Sequence, residues 1–173
     1  MSERYRVVAG RIRRELNDLE RVIARAKRAL QAAQQRPEDQ DLYLDSVALN
    51  LHDFLHDFYA GLERLFSLIA SEIDGSLPTV PQWHRALLQQ MGADIPSVRP
   101  AVLSEAVLRS LEEYLGFRHV VRSIYAFEFD RERLEPLVRR LPPTFQRVRE
   151  ELLTFSDWLE QVAGNSGSAS EDE

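Results

Sequence analysis

Residues 42–69, LYLDSVALNLHDFLHDFYAGLERLFSLI, repeat large apolar side chains in alternating steps of four and three. Leu44, Ala48, Leu51, Leu55, Phe58, Leu62, Leu65 and Ile69 make the series. That period puts one apolar seam along an α-helix, and the strict alternation of a half-buried strand is missing. The preceding segment has the same rhythm, through Ile12, Leu16, Leu19, Ile23, Ala26 and Leu30. It predicts a helix from about Glu3 to Gln35. "RPEDQD" (36–41) separates the two, and Pro37 makes the stop chemically reasonable. Two long helices joined by a short polar connection are expected to pack antiparallel.

"DGSLPTVP" (74–81) ends the pair. A short helix is expected over Trp83–Met91, followed by the loop "GADIPSVRP" (92–100). Ser104 has the side chain of a helix N-cap, and the helix it opens runs through Leu108, Leu111 and Leu115. "FEFDRERL" (127–134) predicts a break, then a brief helix to Arg140, with Pro142 or Pro143 opening a last helix that ends near Ala163. The tail "GNSGSASEDE" is small, polar and acidic, the composition of disorder. With no strand alternation and no internal repeat, the expectation is an all-α antiparallel bundle. It forms one domain over residues 1–163, with a disordered tail over 164–173.

A chain of 173 residues can bury a real core as one domain. It contains no cysteine, which excludes disulfides, thiol catalysis and cysteine zinc sites. No apolar run approaches the ~18 residues of a membrane span, and the opening MSERYRVV has no secretory pattern, so the expected location is the cytoplasm with no membrane partner. The net charge of −6 is unevenly spread. Residues 1–36 carry ten basic and four acidic side chains, residues 37–117 four and thirteen, and residues 118–149 eight and four. Arginine supplies 21 of the 22 basic residues. That choice suits bidentate phosphate binding, and it equally follows from GC-rich coding.

Chemistry concentrates in "YLGFRHVVRSIYAFEFD" (114–130). On a helix, Arg118, Arg122 and Tyr125 fall within about 60° of one another. His119 and Ser123 form the neighbouring stripe. One explanation is structural: arginines near a helix end satisfy terminal carbonyls or pair with the acids of residues 37–117. Upstream, "LHDFLHDFY" (51–59) spaces His52 and His56 four apart beside Asp53 and Asp57. Two histidines at that spacing can hold a metal only with further ligands. His52, His56, Tyr59 and Glu63 instead follow the core's own rhythm, and are expected to form a polar-aromatic ridge hydrogen-bonded to the later helix. His84 is expected to pack with Trp83. Glycine-rich phosphate loops, GxSxG and paired catalytic carboxylates are absent.

"GFRHVVRSIYAFEFD", together with "WHRALLQQM" (83–91), resembles the HepT-like branch of the HEPN superfamily, from the second helix to about Glu160. The resemblance implies a HEPN-like helical fold and membership of a group rich in dimeric ribonucleases of toxin–antitoxin and defence systems. Their pattern is an arginine, a polar neighbour, a short spacer and a histidine. Arg118 and His119 match the first two. Ser123 stands at the histidine position, and Tyr125 matches a tyrosine two beyond it. Stretches like His56–Phe58–Tyr59–Glu63 occur on the second helix of such relatives.

What the resemblance implies for function is a metal-independent endoribonuclease acting on RNA with no cofactor. Arg118, His119 and Ser123 would form the catalytic set, Arg122 would bind RNA phosphate, and His56, Tyr59 and Glu63 would support them. The partners implied are a second copy of the chain and a cognate nucleotidyltransferase antitoxin of the minimal (MNT) type, with Tyr125 as its AMP acceptor. Such an enzyme activates the ribose 2′-hydroxyl. It removes one proton, delivers another and stabilises a charged phosphorane. A histidine titrating near ~6.5 suits the proton work and an arginine the phosphate. A serine does neither unaided. The alternative is therefore a catalytically weakened HEPN protein acting as a binding or regulatory partner of the nucleotidyltransferase.

Overall fold

The seam of the first segment is buried from Ile12 to Ala26, and Leu30 is half-buried. Ile12, Leu16, Leu19, Ile23 and Ala26 lie in the core, and Tyr5, Val8 and Ala9 extend it toward the N-terminus. This helix, α1, spans Ser2–Gln34 in the computed structural model, which describes residues 2–34, 40–121 and 131–168. The second helix, α2, spans Gln40–Ile69. Its seam from Leu51 to Ile69 is buried as the spacing requires, and Tyr59 and Phe66 widen the buried face. The break at Pro37 lies outside the described residues.

The two helices run antiparallel. Glu15 meets Arg64 at 2.6 Å, and further along Arg25 stands 5.8 Å from the centre of the Phe54 ring. At Gly61 the two helices leave no room for a side chain: a Cβ there would sit 2.5 Å from Leu19 Cδ2. α2 ends in a wider π-helical turn, Ala70–Asp74, closed by Gly75 at φ 67°, a left-handed conformation that costs glycine little. The remaining helices are α3 (Trp83–Met91), α4 (Glu105–Val121) and α5 (Arg131–Ser168). Among the described residues there is no β-strand, only an isolated bridge between Ile95 and Arg99. The molecule is all-α. No helix among those residues is long and apolar enough to cross a membrane.

Two expectations about the C-terminal part are corrected. The brief helix to Arg140 and the last helix are one element. α5 passes through Pro136, Pro142 and Pro143 without ending. An interior proline removes a backbone hydrogen bond and typically costs about 3 kcal/mol. Burial on both sides of these prolines offsets that cost, because Leu137, Val138, Leu141, Phe145, Val148 and Leu152 continue one apolar stripe across them. The helix also runs five residues past Ala163, so Gly164–Ser168 are helical where the composition predicted disorder. The buried stripe itself does end at Ala163.

α5 is the main partner of α1, a contact the spacing did not foretell. Arg13 forks onto Asp157 and Glu160 at its outer edge, and inside it the Ser156 hydroxyl donates to the Ala9 carbonyl at 3.3 Å. Arg13 holds the Glu160 carboxyl below the usual carboxylate range. At the centre of the core, Phe58 of α2 meets Tyr114 of α4 edge-on at 5.4 Å and Phe145 of α5 at 6.3 Å.

Candidate functional site

The helix carrying the motif is held at its start and again past its middle. At its start the Ser104 hydroxyl caps the Val107 N–H at 3.4 Å, the N-cap role its side chain predicts. Glu151 of α5 receives the Ser104 N–H at 2.7 Å and its hydroxyl at 2.6 Å, which fixes the cap to the neighbouring helix. Toward the other end the Tyr114 hydroxyl donates to the Leu137 carbonyl at 3.0 Å, and Arg140 meets Glu113 at 2.9 Å. Rising positions on α4 thus pair with falling positions on α5, so the two are antiparallel. Burial pushes the Tyr114 phenol above its ordinary pKa, keeping it a neutral donor.

Arg118 and His119 lie in the last turn of α4, adjacent in sequence and on a helix as the motif requires. Arg122, Ser123 and Tyr125 lie outside the described residues. The N-terminal end of α4 adjoins α3, where the Val102 and Leu103 N–H groups donate to the Met91 carbonyl. α3 in turn packs beside the C-terminal end of α2. The last turn of α4 therefore lies toward the opposite end of the bundle, beyond the Phe58–Tyr114 contact.

The residues of the expected α2 ridge differ in burial. Tyr59 is in the core, and Glu63 is buried with His84 of α3, whose imidazole Nδ1–H donates to the carboxylate at 2.6 Å. His56 is exposed, 3.8 Å from Asp57, and the half-buried His52 donates to Asp53 at 3.0 Å. The helix turns by ~100° per residue, so four residues spread over three turns beside a seam can be claimed by different neighbours. His84 does pack on Trp83, their ring centres 3.5 Å apart. Among the described residues no group of three or more His, Asp and Glu side chains could hold a metal ion.

A second buried ionic cluster went unread in the sequence. All five N–H donors of Arg99 are used. They bind Asp74 at 2.5 and 2.7 Å and the carbonyls of Gln90, Ala93 and Pro100 at 2.9–3.0 Å. Gln90 adds a bond to Asp74 at 2.7 Å. This saturated guanidinium ties the loop before α4 to the turn after α2. With no donor left for a ligand, it is a staple. Its partner Asp74 is 25 residues away, a separation that leaves no local signal.

No curated protein and no solved structure matches the chain. The family model described as HepT-like protein matches residues 50–159, the stretch from the middle of α2 through α3, the motif helix α4 and most of α5. On that match the chain belongs to the HepT-like family of the HEPN superfamily.

Proposed function

We propose that this protein is a metal-independent endoribonuclease toxin restrained by a cognate minimal nucleotidyltransferase. The observation that carries the reading is the pair Arg118–His119 on the last turn of α4, in a chain of the HepT-like family. In the reaction the ribose 2′-hydroxyl loses its proton and its oxygen bonds to phosphorus. The phosphorus–5′-oxygen bond breaks, and that oxygen takes up a proton. Arg118 clamps the phosphate and offsets the charge of the phosphorane, with Arg122 beside it. His119 moves the protons, since Ser123 occupies the position where relatives carry histidine. Two copies of the chain would face each other across one cleft, and AMP placed on Tyr125 by the partner would block it.

The test is cleavage of labelled single-stranded RNA in the presence of a metal chelator. Wild type should produce 2′,3′-cyclic phosphate ends. Arg118→Ala and His119→Ala should each abolish them. Ser123→Ala should change the rate little, because its hydroxyl contributes a hydrogen bond of about 1 kcal/mol at most. Ser123→His should raise it, general acid–base catalysis being typically worth ~10²–10⁴-fold. A His119→Ala variant that cuts as fast as wild type sinks the assignment.

Ser123 itself favours a second reading, in which the chain is a weakened HEPN protein that binds and regulates the nucleotidyltransferase. Wild type would then show no cleavage above background, while still forming a stable complex with that enzyme.

A further inference from the structure

The face of α1 turned away from the core carries Arg4, Arg11, Arg14, Arg21, Arg25 and Arg28, all exposed. Their steps of seven, three, seven, four and three keep them in one stripe along the helix. From Arg11 to Arg28 the stripe extends about 26 Å at the α-helical rise. Asp18 interrupts it and pairs with Arg21 at 3.2 Å. Among the described residues no acidic side chain pairs with Arg11 or Arg14. Both line a cavity of about 400 Å³ between α1 and α2. Arg64 stands opposite them, Ser67 and Ser71 add hydroxyls, and Leu65, Leu68 and Leu77 supply apolar wall. One carboxylate, Glu15, shares the wall and is engaged by Arg64 at 2.6 Å.

We infer that this stripe and its cavity are a binding track for single-stranded RNA, separate from the motif on α4. Arginines at helical spacing pair with successive backbone phosphates. The cavity is large enough for one nucleotide: its leucines suit the face of an unstacked base and its serine hydroxyls a ribose 2′-hydroxyl. An acidic protein segment would use the arginines but has no need of the apolar wall, so the chemistry favours RNA. The track also leads toward the motif. Arg25 lies over Phe54, one turn from the Phe58 that packs on Tyr114, so the stripe's far half is level with the C-terminal part of α4. The inference shares RNA as ligand with the proposed function but does not need cleavage.

Binding of a fluorescent oligouridine long enough to span the stripe, followed by anisotropy across a salt series, tests it. The full chain carries His119→Ala in every sample to prevent cutting. Adding Arg11→Gln, Arg14→Gln and Arg28→Gln together should weaken binding at least tenfold and lower the salt slope by about 2, at ~0.7 per phosphate contact on single strands. Removing three exposed arginines elsewhere, with Arg85→Gln, Arg109→Gln and Arg147→Gln, should leave the slope unchanged. Should the triple variant fail to fold, Arg11→Gln and Arg28→Gln alone should each lower the slope by about 0.7. An unchanged slope in the stripe variants overturns the track, as does an equal loss in the control. Displacement of the RNA by polyglutamate of equal charge, as effectively as by unlabelled RNA, assigns the stripe to an acidic protein and overturns it too. Cleavage is scored separately without His119→Ala, so loss of the track and loss of the catalytic reading are distinguishable.

Discussion

A carboxylate as buried as Glu63, 7% exposed, is costly without a partner, and it has one in His84. Arg99 solves the same problem with all five donors taken by protein oxygens. Neither cluster could be read from spacing, because each joins residues brought together only by packing. The motif residues are the reverse case: Arg118, His119, Ser123 and Tyr125 are legible in the sequence by type and order, and two of them fall outside the described residues. Tyr125 carries a sharp prediction. Its phenolic oxygen would attack the α-phosphorus of ATP, pyrophosphate would leave, and the phenol proton would be lost. The added phosphodiester would set a negative charge beside Arg118 and Arg122, where the proposed function puts the RNA phosphate. After co-expression with an active partner nucleotidyltransferase, mass spectrometry should find one adenylyl group on the peptide containing Tyr125. An unmodified tyrosine under those conditions removes the idea.

At the scale of elements, the α1–α2 contact depends on a residue that has no side chain. A Cβ on Gly61 would also stand 3.1 Å from Glu15 Oε1, so the crowding involves two side chains of α1. Gly61→Val adds a branched group at this crowded contact. It should lower stability by about 1–3 kcal/mol, the usual cost of overpacking, even though valine suits a helix better than glycine. Urea denaturation followed by circular dichroism should show a lower midpoint at an unchanged slope. A midpoint equal to wild type would mean that the helices separate here at no cost. α5 makes the complementary point: three prolines in one helix are tolerated because the stripe from Leu134 to Ala163 stays buried past each of them.

At the scale of the molecule, the motif sits at the end of a helix on a bundle that leaves several large apolar side chains in solvent. Leu77 and Val80, each 48% exposed, lie with Trp83 on and beside the connection into α3. The proposed function expects a two-fold homodimer that brings two copies of Arg118 to one cleft. Multi-angle light scattering at micromolar concentration, without RNA, should give twice the 20.0 kDa chain mass. A monomer under those conditions counts against the shared cleft and leaves the α1 track untouched.

The sequence by itself determined the class of structure, because the four-three spacing of Ile12 to Ala26 and of Leu51 to Ile69 admits only helices with one buried face. It also determined the cap at Ser104 and the end of the helix pair in the segment 74–81, since both are local chemistry between neighbours in the chain. Only the tertiary structure decided that α1 packs chiefly on α5, and that α5 is one helix where its prolines predicted two. It alone set Glu63 against His84 and buried the Tyr59 ring in the core. The physical reason is the same in each case. Periodicity says which face of a helix is buried, but the identity of what covers that face depends on contacts between residues far apart in the chain, whose burial outweighs local propensity.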